Sequence, residues 1–90
     1  MRYRKKPVLV EAWPIADLLK TAKASWRDLP EVVSRAYTAG SIVFRPEGID
    51  VETLEGWRFG HPADWLVSGI QGLYPIKPDV FAATYEVYGE

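Results

Sequence analysis

Ser41-Ile42-Val43-Phe44-Arg45-Pro46-Glu47-Gly48-Ile49-Asp50-Val51-Glu52-Thr53-Leu54-Glu55-Gly56-Trp57-Arg58-Phe59 is the stretch on which the fold turns. Ile42-Val43-Phe44 is a short apolar run, closed by Pro46-Glu47-Gly48. Ile49, Val51 and Thr53 then alternate with Asp50 and Glu52, the period of two expected of a strand with one wet face. Glu55-Gly56 reads as a turn, and Trp57-Arg58-Phe59 returns from it. Strands this close in sequence, joined by tight turns, pair antiparallel.

Further along, Asp64 to Ser68 and Leu73 to Ile76 read as a hairpin around Gly69-Ile70-Gln71-Gly72. Pro78 to Ala83 suits one turn of helix, and Tyr85-Glu86-Val87-Tyr88 alternates as a last short strand. Toward the N-terminus, Val8, Val10 and Ala12 share one strand face and Leu9, Glu11 and Trp13 the other, between Pro7 and Pro14. Ile15, Leu18, Leu19 and Ala22 make a short helical stripe. A second helix is signalled by Asp28 as N-cap, Glu31 three residues on and Pro30 in the first turn. Leu29, Val32, Val33, Ala36 and Tyr37 form its apolar face, Gly40 is its C′ residue, and Trp26 plugs the joint between the helices. The expected fold is α+β: a small, mostly antiparallel sheet with two helices inserted after the first strand, in the order β-α-α-β-β-β-β-β, as one domain spanning 1–90.

Composition narrows the function classes. Ninety residues leave room for one small core, and 13% aromatics, with four Trp, five Tyr and three Phe, supply much of its bulk. The absence of cysteine removes disulfides, thiolate nucleophiles and zinc fingers. A formal charge of −1 argues against bulk binding to DNA or RNA, and no apolar run reaches the ~20 residues of a membrane span. There is no Gly-x-Ser-x-Gly, no phosphate-loop motif and no spacing of ligands for a metal; no cofactor is expected. His61, the only histidine, has Asp64 three residues on and would serve as an oriented base in a hydrolase; without a nucleophile motif beside it, a loop histidine explains it as well.

Two surpluses remain. Arg2, Arg4, Lys5 and Lys6 crowd four of eleven cations into six residues, which suits an anion and equally suits a solvated edge strand. Trp13, Trp57, Trp65 and Tyr74 lie on or beside strands, where rings either stack on a nucleobase or fill the core. Arg58 and Lys77 are the cations nearest to Trp57 and Tyr74 in sequence. Pro75 and Pro78 hold Lys77 extended, and Asp79 is placed to cap the helix after it. Asp64 beside Trp65 is placed to bond backbone in a turn.

The two ends of the chain resemble a family of small, mostly uncharacterised proteins of tailed bacteriophages and prophages. Tyr3-Arg4-Lys5-Lys6-Pro7-Val8 with Glu11-Ala12 carries the likeness at the start. Pro62-Ala63-Asp64-Trp65, Gly69 and Gly72, Tyr74-Pro75-Ile76-Lys77-Pro78-Asp79, Phe81 and Thr84-Tyr85-Glu86 carry it, more specifically, at the end, preceded by Thr53-Leu54-Glu55-Gly56. Ala63 stands where that family usually has glycine and Ile76 where it usually has cysteine, so any thiol role in relatives is absent here. The resemblance implies a phage product acting in the cytoplasm of a bacterial host, and implies no activity.

The leading expectation is a non-enzymatic accessory protein that sequesters an anionic small molecule, a nucleotide signal of host immunity. Trp13, Trp57, Trp65 or Tyr74 would stack on it, and Arg4, Lys6, Arg58 or Lys77 would meet phosphate. A homo-oligomer is expected, because a small domain makes a deeper pocket at a subunit boundary. The alternative is a protein–protein inhibitor or adaptor acting on a host protein through an edge strand or an aromatic patch.

Overall fold

A computed structural model of the chain describes residues 1, 2 and 9–87. The fold is α+β, with strands β1 (Glu11–Pro14), β2 (Ile42–Arg45), β3 (Gly48–Thr53), β4 (Gly56–Gly60), β5 (Trp65–Gly69) and β6 (Gly72–Ile76). Helices α1 (Ile15–Ala24) and α2 (Glu31–Thr38) follow β1, and α3 (Pro78–Thr84) follows β6. Where one sheet was expected there are two, each antiparallel and three-stranded: β1-β5-β6 and β2-β3-β4. The break falls at the turn from His61 to Asp64, which carries the chain from β4 across to β5.

The meander closes as its sequence implies. Ile42 pairs with Val51, and Glu52 with Trp57. Gly69 faces Gly72 across the two-residue loop Ile70-Gln71. Both loop residues keep negative φ, and Gly72 takes the left-handed conformation at +107°, the pattern of a turn closed by a glycine bulge.

α1 buries Ile15 and Leu18, with Leu19 and Ala22 packed at the margin. α2 ends as expected: the Ser41 amide donates to the Ala36 carbonyl and Gly40, at φ +84°, donates to Tyr37, a Schellman close. Its start differs. Asp28 lies in a single 3₁₀ turn, Trp26–Asp28, and the N-cap position belongs to Pro30, with no side-chain cap. The reason is local: a residue before proline is barred from the helical region, so Leu29 is extended at ψ 147° and the helix starts only at Glu31. Leu29 is still buried, but from outside the helix. Trp26 does not plug the joint from inside. It is exposed, edge-on to Tyr37 at 4.8 Å and to Phe44 at 5.3 Å.

The main core is Ile15, Leu18, Leu29, Val33, Ile42, Ile49, Val51 and Leu66, with Trp13 and Leu73 against it. It joins the two helices, the inner face of the β2-β3-β4 sheet and one face of the β1-β5-β6 sheet. At Gly60 the sheets approach so closely that a Cβ would collide with Ile15 Cδ1 and press on Pro75.

Tyr85 to Val87 forms no strand, contrary to the alternation; Tyr88 lies outside the described residues. Instead α3 runs to Thr84, with the Tyr85 amide donating to the Phe81 carbonyl. Asp79 does not cap α3 but sits inside its first turn, because Pro78 takes the first helical position and Lys77 the cap. No helix among the described residues is long and apolar enough to cross a membrane.

Candidate functional site: an aromatic hollow beside the edge strand

Residues paired directly across antiparallel strands share a face. Pro14, Trp65 and Ile76 therefore line up on one face of the β1-β5-β6 sheet, with Ala12, Val67 and Tyr74 in the next row. Trp13, Leu66 and Pro75 occupy the opposite face, toward the core. Val67 has no exposed surface, yet it is not part of the main core. It lies on the far face of the sheet with Trp65 and Tyr74, where a second apolar layer forms.

α3 brings that layer. Phe81 stacks on Trp65 with centroids 4.2 Å apart and planes 8° from parallel, and Tyr85 continues the column at 5.3 Å from Phe81. The Tyr85 and Tyr74 hydroxyls hydrogen-bond at 2.9 Å, tying the end of α3 to β6. Burial, and then the bond to Tyr85, push the Tyr74 phenol up to about 12.

Beside this column lies a hollow of about 420 Å³ lined by Leu9, Val10, Ala12, Trp65, Phe81, Tyr85, Glu86 and Val87. It lies beside β1, which among the described residues is the terminal strand of its sheet. The described lining is aliphatic and aromatic apart from Glu86. Among the described residues, no arginine or lysine contributes to it.

The turn that feeds β5 is the other organised feature. Asp64 is buried, and its Oδ2 accepts the His61 backbone N–H at 2.9 Å, the turn bond expected from sequence. The Asp64 and Pro62 carbonyls accept the amides of Ile15 and Ala16 at 2.9 and 3.1 Å. These bonds cap α1, whose N-cap residue Pro14 offers no side-chain cap. Lys77 Nζ stands 3.6 Å from the same Asp64 oxygen. The His61 ring is edge-on to Phe59 at 4.7 Å, so Asp64 engages the backbone of His61 and steadies a helix end.

The candidate ligand residues do not converge. Trp65 and Tyr74 meet in the layer under α3. Lys77 is at the entry to α3, extended as expected at ψ 148°, with Asp64 beside it. Trp13 is turned to the core face. Trp57 is 52% exposed on β4 in the other sheet, and the neighbouring Arg58 is paired with Glu55 at 2.9 Å. Arg4 and Lys6 lie outside the described residues. The reading from sequence missed the hollow itself, with Leu9, Val10, Phe81, Tyr85, Glu86 and Val87. The available signal was the spacing of Phe81 and Tyr85, one helical turn apart, which puts two rings on one face.

Compared with known proteins, the chain matches no family profile, no curated protein and no solved structure.

Proposed function

We propose that the chain is a non-catalytic binding protein that engages a partner protein through the edge of β1 and the aromatic hollow beside it. The observation that carries this reading is the chemistry of the hollow: apolar walls and stacked rings along a terminal strand, with a carboxylate and no cation among its described lining. An edge strand offers main-chain groups to an extended segment, and an adjoining apolar pocket takes one of its side chains. Leu9 is 69% exposed and Val87 98% exposed at the rim, apolar surface that a partner would cover. The resemblance of both chain ends to phage-encoded proteins supports a protein of the bacterial host as the partner, and the host cytoplasm as the place.

The test is retention of a host protein from lysate by the immobilised chain, compared with Leu9→Lys and Val87→Lys. Both positions are exposed, so the variants keep the fold. A partner held by the original chain and lost from both variants is the expected result. A partner held equally by all three, or none held, overturns the reading.

Sequestration of a nucleotide is the second reading, favoured by the exposed Trp57 ring on β4. Thermal melts against cyclic and ADP-ribose-type nucleotides separate the two. A stabilising shift that is lost in Trp57→Ala, with Leu9→Lys unaffected, moves the function to β4.

A further inference from the structure

We infer that the hollow beside β1 receives the side chain of an arginine or lysine from the partner protein, an assignment that rests on the protein-binding reading above. Three features of the cavity select such a side chain. First, its lining includes the aliphatic side chains of Leu9, Val10, Ala12 and Val87. They match the methylene stem that these side chains lay along apolar surfaces. Second, Trp65, Phe81 and Tyr85 are each half-buried, so part of every ring faces the cavity. Aromatic rings attract cations, and the guanidinium group also stacks on them. Third, Glu86 is the one formal charge of the described lining, is exposed, and has no ion pair among the described residues. An anionic guest would meet a like charge there. A purely apolar guest would fit the walls and leave the carboxylate unanswered. A stem with a positive tip satisfies both. The volume, about 420 Å³, falls near the small end of ligand cavities (~300–1,000 Å³).

A second copy of the chain is a poorer occupant. A two-fold interface joins the same patch of both copies, so each hollow would meet the other's described lining, in which Glu86 is the one formal charge. That places acid against acid where the cavity calls for a cation.

The charge preference is measurable without the partner. Butylguanidinium, pentanol and pentanoate share a short apolar body and differ in charge. Each is titrated into the intact protein while the indole resonance of Trp65 and the ring resonances of Phe81 are followed by NMR. Butylguanidinium is expected to bind roughly three- to fivefold tighter than pentanol, the scale of an exposed cation–aromatic contact. Pentanoate is expected to bind weakest. In Glu86→Gln the advantage of the cation shrinks, and in Glu86→Lys pentanoate overtakes butylguanidinium. Unchanged resonances in the probe-free variants confirm that the fold is kept. Equal or tighter binding of pentanoate to the original chain, a cation preference that survives Glu86→Lys, or no response to any probe overturns the assignment. Because no partner is present, these failures are distinct from loss of retention in the lysate experiment.

Discussion

Removing the Asp64 carboxylate strips an acceptor from the His61 amide and a counter-charge from Lys77 at once. The first loss outweighs the second. The amide bond lies in a buried turn that also presents two carbonyls to the start of α1, whereas Lys77 is largely exposed and 3.6 Å away. Asp64→Ala is therefore expected to lower stability by about 2–3 kcal/mol, the range for a lost bond to a charged group. Lys77→Ala should change it by less than about 1 kcal/mol, as for other exposed pairs. Urea unfolding of both variants measures the two; equal losses would transfer the role to the ion pair. Tyr74 adds a dependence on alkaline pH. Its phenol is held up to about 12 in the fold, against about 10 for an unfolded tyrosine. The native state thus favours the protonated ring. Its contribution is fully present below about pH 10 and is lost as pH rises from there through 12. Tyr74→Phe should be less stable at neutral pH and should lose less between those values. A variant with an unchanged alkaline profile would exclude Tyr74 as the source.

Among the elements, α3 depends most on its surroundings. Seven residues are too few for a helix to persist alone in water. What holds it is the stacking of Phe81 on Trp65 and the hydroxyl bond from Tyr85 to Tyr74. Phe81→Ala should release α3 from Trp65. Because the ring is half-buried, the expected cost is about 2 kcal/mol, below the 3–5 kcal/mol of a fully buried phenylalanine. Hydrogen exchange checks this directly: amides of residues 81–85 should lose protection while those of α1 keep theirs. Equal loss in both would mean that α3 belongs to the main cooperative unit. α2 shows how element ends were read. Gly40 was legible because a left-handed residue after a helix needs glycine whatever the rest of the fold does. Asp28 does not cap because the constraint that Pro30 places on Leu29 overrides side-chain capping.

Across the whole molecule, the α+β class, the strand runs from Ile42 to Ile76 and the three hairpin turns were determined by the sequence alone. They follow from backbone sterics at glycine and proline and from an alternation that repeats within a few residues. Alternation states that a strand has two faces, but it does not say what covers either one. Only the tertiary structure decided that the strands divide into two sheets, that Trp13 and Trp65 turn to opposite faces, and that Tyr85 ends a helix instead of starting a strand. The hollow belongs to this second group. Its walls come from the start of the chain, β5 and the end of α3, and no local pattern encodes a contact between segments so far apart. Burial of apolar surface is non-directional, so which rings are sealed and which are left for a partner is settled only when the layers close.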